Sequence, residues 1–440
     1  MNSFVDIKTA YRDRVDRNIQ FLSSVYHNRS DLLQMIKSLI DSNINEEEIN
    51  NKKVLLKPNW VKHNRQIQDE VCLRTNEHFI MCVIEVMLSK RPKSIIIGDA
   101  PIQGCDWRKM LSDSFYQFVD YHSKKNAVPI IIKDFRRVTF DAQSNKLEEE
   151  RKSIEEYVIF DLKDKSYLEP ISDFNNKFRV TQYDPSRLAE SHTVGTHKYC
   201  ITKELFDADI VFSLPKIKTH QKTGITNALK NLVGLNGDKD YLPHHRIGGL
   251  NDGGDCYPGR NILRKYSELL LDKANKNKGN IKYKLYSRFA SLLWKISFPS
   301  PEHQIGAGWY GNDTTWRMVM DLNRIALFGK EDGTLSDVKQ RQIYSLCDGI
   351  IAGQGDGPLE PVPLELGIIM LSNNSYLADI VAGELMKMKI EKIYLLSAAN
   401  KTLENDNYRI EINNEIISFK DLSNYSIDTL MPPGWVNYNK

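Results

Sequence analysis

At 440 residues, with 41% hydrophobic and 27% charged side chains, the chain has ample material for a packed core, which excludes a largely disordered protein. Its net charge of only +3, from 60 basic against 57 acidic residues, excludes a global field that would recruit nucleic acid. Any cationic site must therefore be local. The amino-terminal stretch MNSFVDIKTAYRDRVDRNIQFL carries charges throughout and lacks the uninterrupted apolar core of a secretory signal. No apolar run approaches membrane-spanning length, so a cytoplasmic protein without a transmembrane segment is expected. Residues 1–50 are expected to form a helical lead-in.

From there a single grammar repeats. A short aliphatic run ends in small and polar residues and gives way to helical spacing: KVLLKPNW from Lys53, SIIIGDAP from Ser94, VPIIIKDF from Val128, ADIVFSLPK from Ala208 and LGIIMLSNN from Leu366. Runs that are apolar on both faces suit buried parallel strands. EHFIMCVIEVMLSK and YLADIVAGELMKMK between and after them have helical patterning. This predicts an α/β fold over 51–400 built on a mostly parallel, doubly wound sheet, whose ligands sit outside the carboxyl ends of the strands. A strand-rich insertion is expected at about 141–197 and a helical one at about 261–298. Residues 401–440 form a C-terminal extension.

The polar strand endings carry the candidate chemistry. Lys57 and Asn59 follow the run VLL; the lysine offers a charge, a base or a nucleophile, or simply snorkels at a strand end. Asp99 closes the run III, with Asp106 a turn later; such carboxylates orient a lysine, bind a metal or cap a helix. Between Asp209 and Asp238 the chain has no carboxylate, yet it holds Lys216, Lys218, His220, Lys222 and Lys230. Pro215 is expected to end the strand there, and an extended loop would turn Lys216, Lys218, His220 and Lys222 to one side. A helix opening near Gly224 would present Thr226, Lys230 and Asn231 on a face of donors, which together with the helix amino terminus suits an anion, or else forms a solvated basic surface.

Further on, LPHHRIGGLNDGGDCYPG brings His244, His245 and Arg246 beside a glycine-rich loop, and imidazole is matched to proton transfer near neutral pH. Metal ligation by His220, His244, His245 and a carboxylate is an alternative, but no metal-ligand spacing is recognisable, so no metal residues are assigned. The glycines of CDGIIAGQGDGPLEP fit no phosphate-loop pattern. Residues 282–297, KYKLYSRFASLLWKIS, mix amines with apolar groups and suit a partner, a membrane surface or their own domain. The six cysteines are scattered without a Cys-x-x-Cys pair, so no iron–sulfur cluster is expected.

Together VLLKPNWV, IIIGDAPIQGCDW, LPKIKTHQKTGITNALKNLVGL, GNDTTWRMVMDLNRI and DGIIAGQGDGPLEPVPLELGII resemble the domain of unknown function 362 family, from about Val54 to about Ile393. Some members of that family carry a ferredoxin-like module with clustered cysteines, which this sequence lacks. The lysine-rich motif also has a local similarity to lactate racemase, which implies Lys230 as the anchor of a nickel-containing nucleotide cofactor and His220 as the upstream histidine. Three functions compete. One is an enzyme acting on a small anionic metabolite, with Lys57, Asp99, His220 and Lys230 as catalytic groups and Asn59, Lys216, Lys218, Thr226, Asn231, His244, His245 and Arg246 around the substrate. The others are a racemase-like or redox enzyme with a cofactor near Lys230, and a non-catalytic accessory protein.

Overall fold

Alternate residues of the central strands enter two different cores, because side chains along a strand point to opposite faces in turn. In Lys53–Pro58, Val54 and Leu56 pack on one side and Leu55 on the other; in Ile210–Leu214, Phe212 and Val211 divide in the same way. A sheet with two apolar faces must be covered on both. The computed structural model, which describes residues 2–13, 15–64, 71–141, 146–148, 150–297, 306–436 and 438, has that architecture. Helices Ile19–His27, Arg29–Asn43, Glu77–Ser89 and Asp113–Asn126 cover one face. Thr315–Phe328, Ser375–Leu385 and Tyr394–Leu403 cover the other.

Among the described residues, twelve strands form the central sheet. Ile210–Leu214 lies parallel to Lys53–Pro58 on one side and to the start of the 15-residue strand Gln342–Asp356 on the other. Ser94–Asp99 and Ile130–Asp134 extend the parallel half outward. Their register sets Lys57 opposite Ser213, and Asp99 ends the adjacent strand. Lys57 and Asp99 therefore lie side by side at the carboxyl edge of the parallel half, while Lys216, expected beside them, lies elsewhere. The other half is mixed, since Ile368–Ser372 runs antiparallel to both of its neighbours.

Three expectations need correction. Residues 1–50 are not helical throughout: Ser3–Thr9 is a sheet strand, because Val5 and Ile7 supply one core while Phe4 supplies the other. The C-terminal residues are no appendage, since Tyr408–Ile412 pairs with that first strand and Glu415–Ile417 with Tyr408–Ile412. The chain after Pro215 is not a loop followed by a helix at Gly224. Lys216–His220 is a buried strand hairpinned onto Gly224–Thr226, and a four-residue helix, Ala228–Asn231, follows.

Both insertions contain the expected element types. The first holds the strand Tyr157–Asp161, which pairs with Thr196–Thr202 just where the insertion ends; its positions 142–145 and 149 lie outside the described residues. The second is the helix pair Ile262–Asn275 and Ile281–Ser297, with position 298 outside the described residues. Among the described residues no helix is long and apolar enough to cross a membrane.

Candidate functional site

The carboxyl ends of two parallel strands meet the short helix Ala228–Asn231 through a buried polar knot. The Lys57 amine donates to Asp99 Oδ1 at 2.7 Å, to the Pro58 carbonyl at 2.9 Å and to Asn231 Oδ1 at 3.2 Å. Asp99 also accepts the Trp60 N–H on Oδ2 at 2.7 Å and the Ala100 N–H on Oδ1 at 2.9 Å. Asn231 in turn donates to the Lys57 carbonyl at 3.0 Å and the Ser213 hydroxyl at 2.9 Å, while Asn59 donates to Asn231 Oδ1 at 3.2 Å. Burial lowers the Lys57 pKa from the ordinary lysine value, and the Asp99 charge opposes that shift. Gly234 packs against this knot so closely that a Cβ there would collide with Asp99 Oδ1 and the Lys57 amine.

Above the knot lies a cavity of about 390 Å³. Lys57, Asn59, Asp99, His220, Lys230, Asn231 and His244 line it, as do Lys222 and Lys239. The insertion contributes Thr181, Gln182 and Tyr183, and Pro358 and Leu359 form part of the wall. Among the described residues, four amines thus face a single carboxylate that is already engaged. Half-buried Lys230 makes no hydrogen bond or ion pair among the described residues; burial, then Lys239, Lys222 and Lys57, pushes its amine down to about 7. Burial likewise brings Lys239 and Lys222 to about 8, and Lys222 donates to the Thr181 hydroxyl at 3.2 Å.

The two imidazoles have different tautomers. His220 Nδ1 accepts the N–H groups of Lys222 at 3.0 Å and Thr223 at 3.2 Å, so a neutral ring carries its proton on Nε2. His244 Nδ1 lies 2.6 Å from the Leu242 carbonyl, which requires a donor there and leaves Nε2 with its lone pair. Burial first, and then the nearby lysines, hold both rings well below the usual histidine range. One ring can donate to a bound oxygen and the other can accept.

Five predicted residues are not in the cavity wall. Lys216 forms a closed unit instead, donating to Asp348 at 3.1 Å and to the Tyr26 hydroxyl at 2.9 Å. Lys218 donates to the carbonyls of Leu73 and Pro358, the latter at 3.1 Å, and burial pushes its amine down to about 7. The reason is common to both: this segment is a sheet strand, and its register brings Asp348 opposite Lys216. Thr226 is buried beside them, opposite Lys218, with its hydroxyl unpartnered. His245 points away from His244, as neighbours in extended chain do, and Arg246 is held near Asp255 at 3.8 Å and Asp313 at 4.0 Å. Asp106 is a cap: its Oδ1 accepts the Arg108 N–H at 3.2 Å in the turn Trp107–Lys109.

Sequence reasoning missed Lys239 and the insertion's 180–183 segment. Lys239 sits between Asp238 and Asp240, which looks like a neutralised turn. Asp238, however, is taken by Arg137 at 2.9 Å, so Lys239 is left to the cavity. Only its nearness to the acid-free segment hinted at this role.

Residues 166–384 match a family model described as Domain of unknown function (DUF362). A comparison with curated proteins finds no match. Among solved structures, a crystal structure of a protein from Thermotoga maritima aligns over 85% of this chain at 8% identity, with a TM-score of 0.35, and the chain spans 59% of that protein's length. The family match contains His220, Lys222, Lys230, Lys239 and His244, whereas Lys57 and Asp99 are supplied from outside it. Over residues 166–384 the chain belongs to the DUF362 family.

Proposed function

We propose that the protein is an enzyme that holds a small phosphate- or carboxylate-bearing metabolite in the cavity at the carboxyl edge of its sheet and moves a proton there. The observation that carries this reading is the imbalance of charge: among the described residues, Lys57, Lys222, Lys230 and Lys239 face one cavity with Asp99 as its only carboxylate. Crowded, partly desolvated amines repel one another, and a bound anion relieves that repulsion and restores their charge. Lys222, Lys230 and Lys239 hold the anion, while the Lys57–Asp99 knot fixes the floor. His220 donates from Nε2 to a ligand oxygen and His244 accepts on its own Nε2. The Lys230 amine, at about 7, is the group matched to giving or taking a proton at neutral pH.

The test is a thermal-shift screen against inorganic phosphate, sugar phosphates, di- and tricarboxylates and nucleoside monophosphates. A binder at a hundred times its Kd stabilises the native state by about 2.7 kcal/mol. At least one class should do so, and Lys230→Ala and His220→Ala should abolish the response while the protein stays folded. A flat screen, or variants that respond like the wild type, rejects the proposal.

A nucleotide cofactor anchored at Lys230, which the local likeness to lactate racemase implies, would draw on the same amines. Its metal is poorly matched there: the metal-type ligands of the wall among the described residues, His220, His244 and the engaged Asp99, do not form a compact group of three, and the group that does lies elsewhere. No step is derived through such a group.

A second surface supports a docking role. Ile281, Leu285, Phe289, Leu292 and Ile296 form an exposed stripe along Ile281–Ser297, with exposures from 51% to 82%. Lys282, Lys284, Arg288 and Lys295 flank it, and that helix has no acid. An apolar stripe bordered only by cations suits the face of an anionic bilayer. The protein should co-sediment with phosphatidylserine vesicles and not with phosphatidylcholine ones, and Leu285→Glu/Phe289→Glu should release it; equal binding to both vesicles, or to neither, contradicts this.

A further inference from the structure

A second buried cluster lies behind the cavity. His245 is on the short strand His245–Arg246, Cys256 is in the glycine-rich loop that follows, and Glu268 is on the helix Ile262–Asn275. Their exposures are 4%, 2% and 4%. One ligand-type atom from each, an imidazole nitrogen, the thiol sulfur and a carboxylate oxygen, lies within 4.8 Å of the others. The second oxygen of Glu268, Oε2, is fixed by the Gly248 N–H at 3.0 Å, which orients the carboxyl.

Two atoms of this cluster lack hydrogen-bond partners: His245 Nδ1 and Glu268 Oε1. Buried polar atoms are nearly always satisfied, and each exception costs about 1–3 kcal/mol. The Cys256 thiol and the Glu268 carboxyl hydrogen-bond one another, but that contact leaves the imidazole from a third segment unmet beside them. A zinc ion, with bonds of about 2.0–2.3 Å, sets its ligand atoms about 3.5 Å apart in a tetrahedron, within reach of small side-chain rotations here.

We propose that His245, Cys256 and Glu268 bind a divalent transition metal, zinc by its preference for mixed nitrogen, sulfur and oxygen donors. Three protein ligands leave a fourth tetrahedral position open. Binding displaces the Cys256 thiol proton to solvent and ties three segments at one point: the strand next to His244, the glycine-rich loop and the helical insertion. The ion is thus a fastener that holds the wall of the anion cavity, and it stands whether or not that cavity binds an anion.

The full chain, purified without chelator, should carry one zinc per molecule by elemental analysis, and stripping it should lower the melting temperature. Reloaded with cobalt, it should show the near-ultraviolet absorption of a cobalt–thiolate bond. Cys256→Ser should lose that absorption and Cys347→Ser should keep it; Glu268→Gln should lose stoichiometric zinc. Should a variant fail to fold, the wild type alone decides. A stripped wild-type chain that takes up no stoichiometric zinc or cobalt overturns the proposal, as does a cobalt–thiolate band that survives Cys256→Ser.

Discussion

Lys216 and Lys230 lie on the same acid-free segment and differ in what meets them. Lys216 is fully buried against Asp348 and Tyr26, and Asp348 in turn accepts the Asn76 N–H at 3.0 Å. Every charge there has its counter-charge, and the unit is closed. Lys230 faces Lys239, Lys222 and Lys57 across a cavity, with one engaged carboxylate among them. A buried lysine is thus no mark of function in itself. What separates scaffold from site is whether its counter-charge is built into the protein or has to arrive from outside.

That contrast can be broken at either end. The largest effect belongs to Lys216→Met, which strands a buried carboxylate and should cost about 3–5 kcal/mol in urea unfolding. Ligand-induced stabilisation of the surviving folded protein should be unchanged. Next comes Gly234→Ala, which forces a methyl group into the Lys57–Asp99 knot; overpacking should cost about 1–3 kcal/mol and weaken the ligand response as well. Lys239→Met should behave in the opposite way to Lys216→Met. Removing an amine without a counter-charge should leave unfolding stability within about 1 kcal/mol of wild type, or raise it, while the anion response disappears.

The smallest effect is the pH dependence. Lys230 titrates at about 7 in the folded protein and near 10.4 in the unfolded chain, so above about 7 the unfolded state binds the extra proton. The stability of wild type relative to Lys230→Met should therefore rise as pH climbs from about 7 to 8. Anion-induced stabilisation should fall over the same range, because Lys222, Lys230 and Lys239 lose charge through about 7 to 8. Denaturation curves across that window, with and without ligand, read both signs.

Much of this was legible because it is local. Lys57 and Asp99 each end an apolar run, and runs apolar on both faces align as parallel strands whose ends share an edge. His220 and Lys230 came with the motif itself. The misassignment of Lys216 and Lys218 has a nonlocal cause: Asp348 is far along the chain and is brought opposite Lys216 only by sheet register, which no pattern within the lysine-rich segment records. The insertion's contribution was hidden for a similar reason. Val180 to Tyr183 has the look of a strand, and its place in the cavity wall follows from how the insertion folds back over the sheet edge. His244 and His245 show the limit in miniature, since adjacency hid that one faces the cavity and the other the buried cysteine and glutamate.

The central claim is that the cavity's amines are held short of full charge until an anion arrives. Isothermal titration calorimetry at pH 8, with the tightest binder of the metabolite panel and in two buffers of different ionisation enthalpy, measures the protons taken up on binding. The account predicts net proton uptake by the wild type, as amines at about 7 to 8 recharge around the anion, and a smaller uptake by Lys230→Met. Binding without proton uptake, or an uptake that Lys230→Met leaves unchanged, would contradict it.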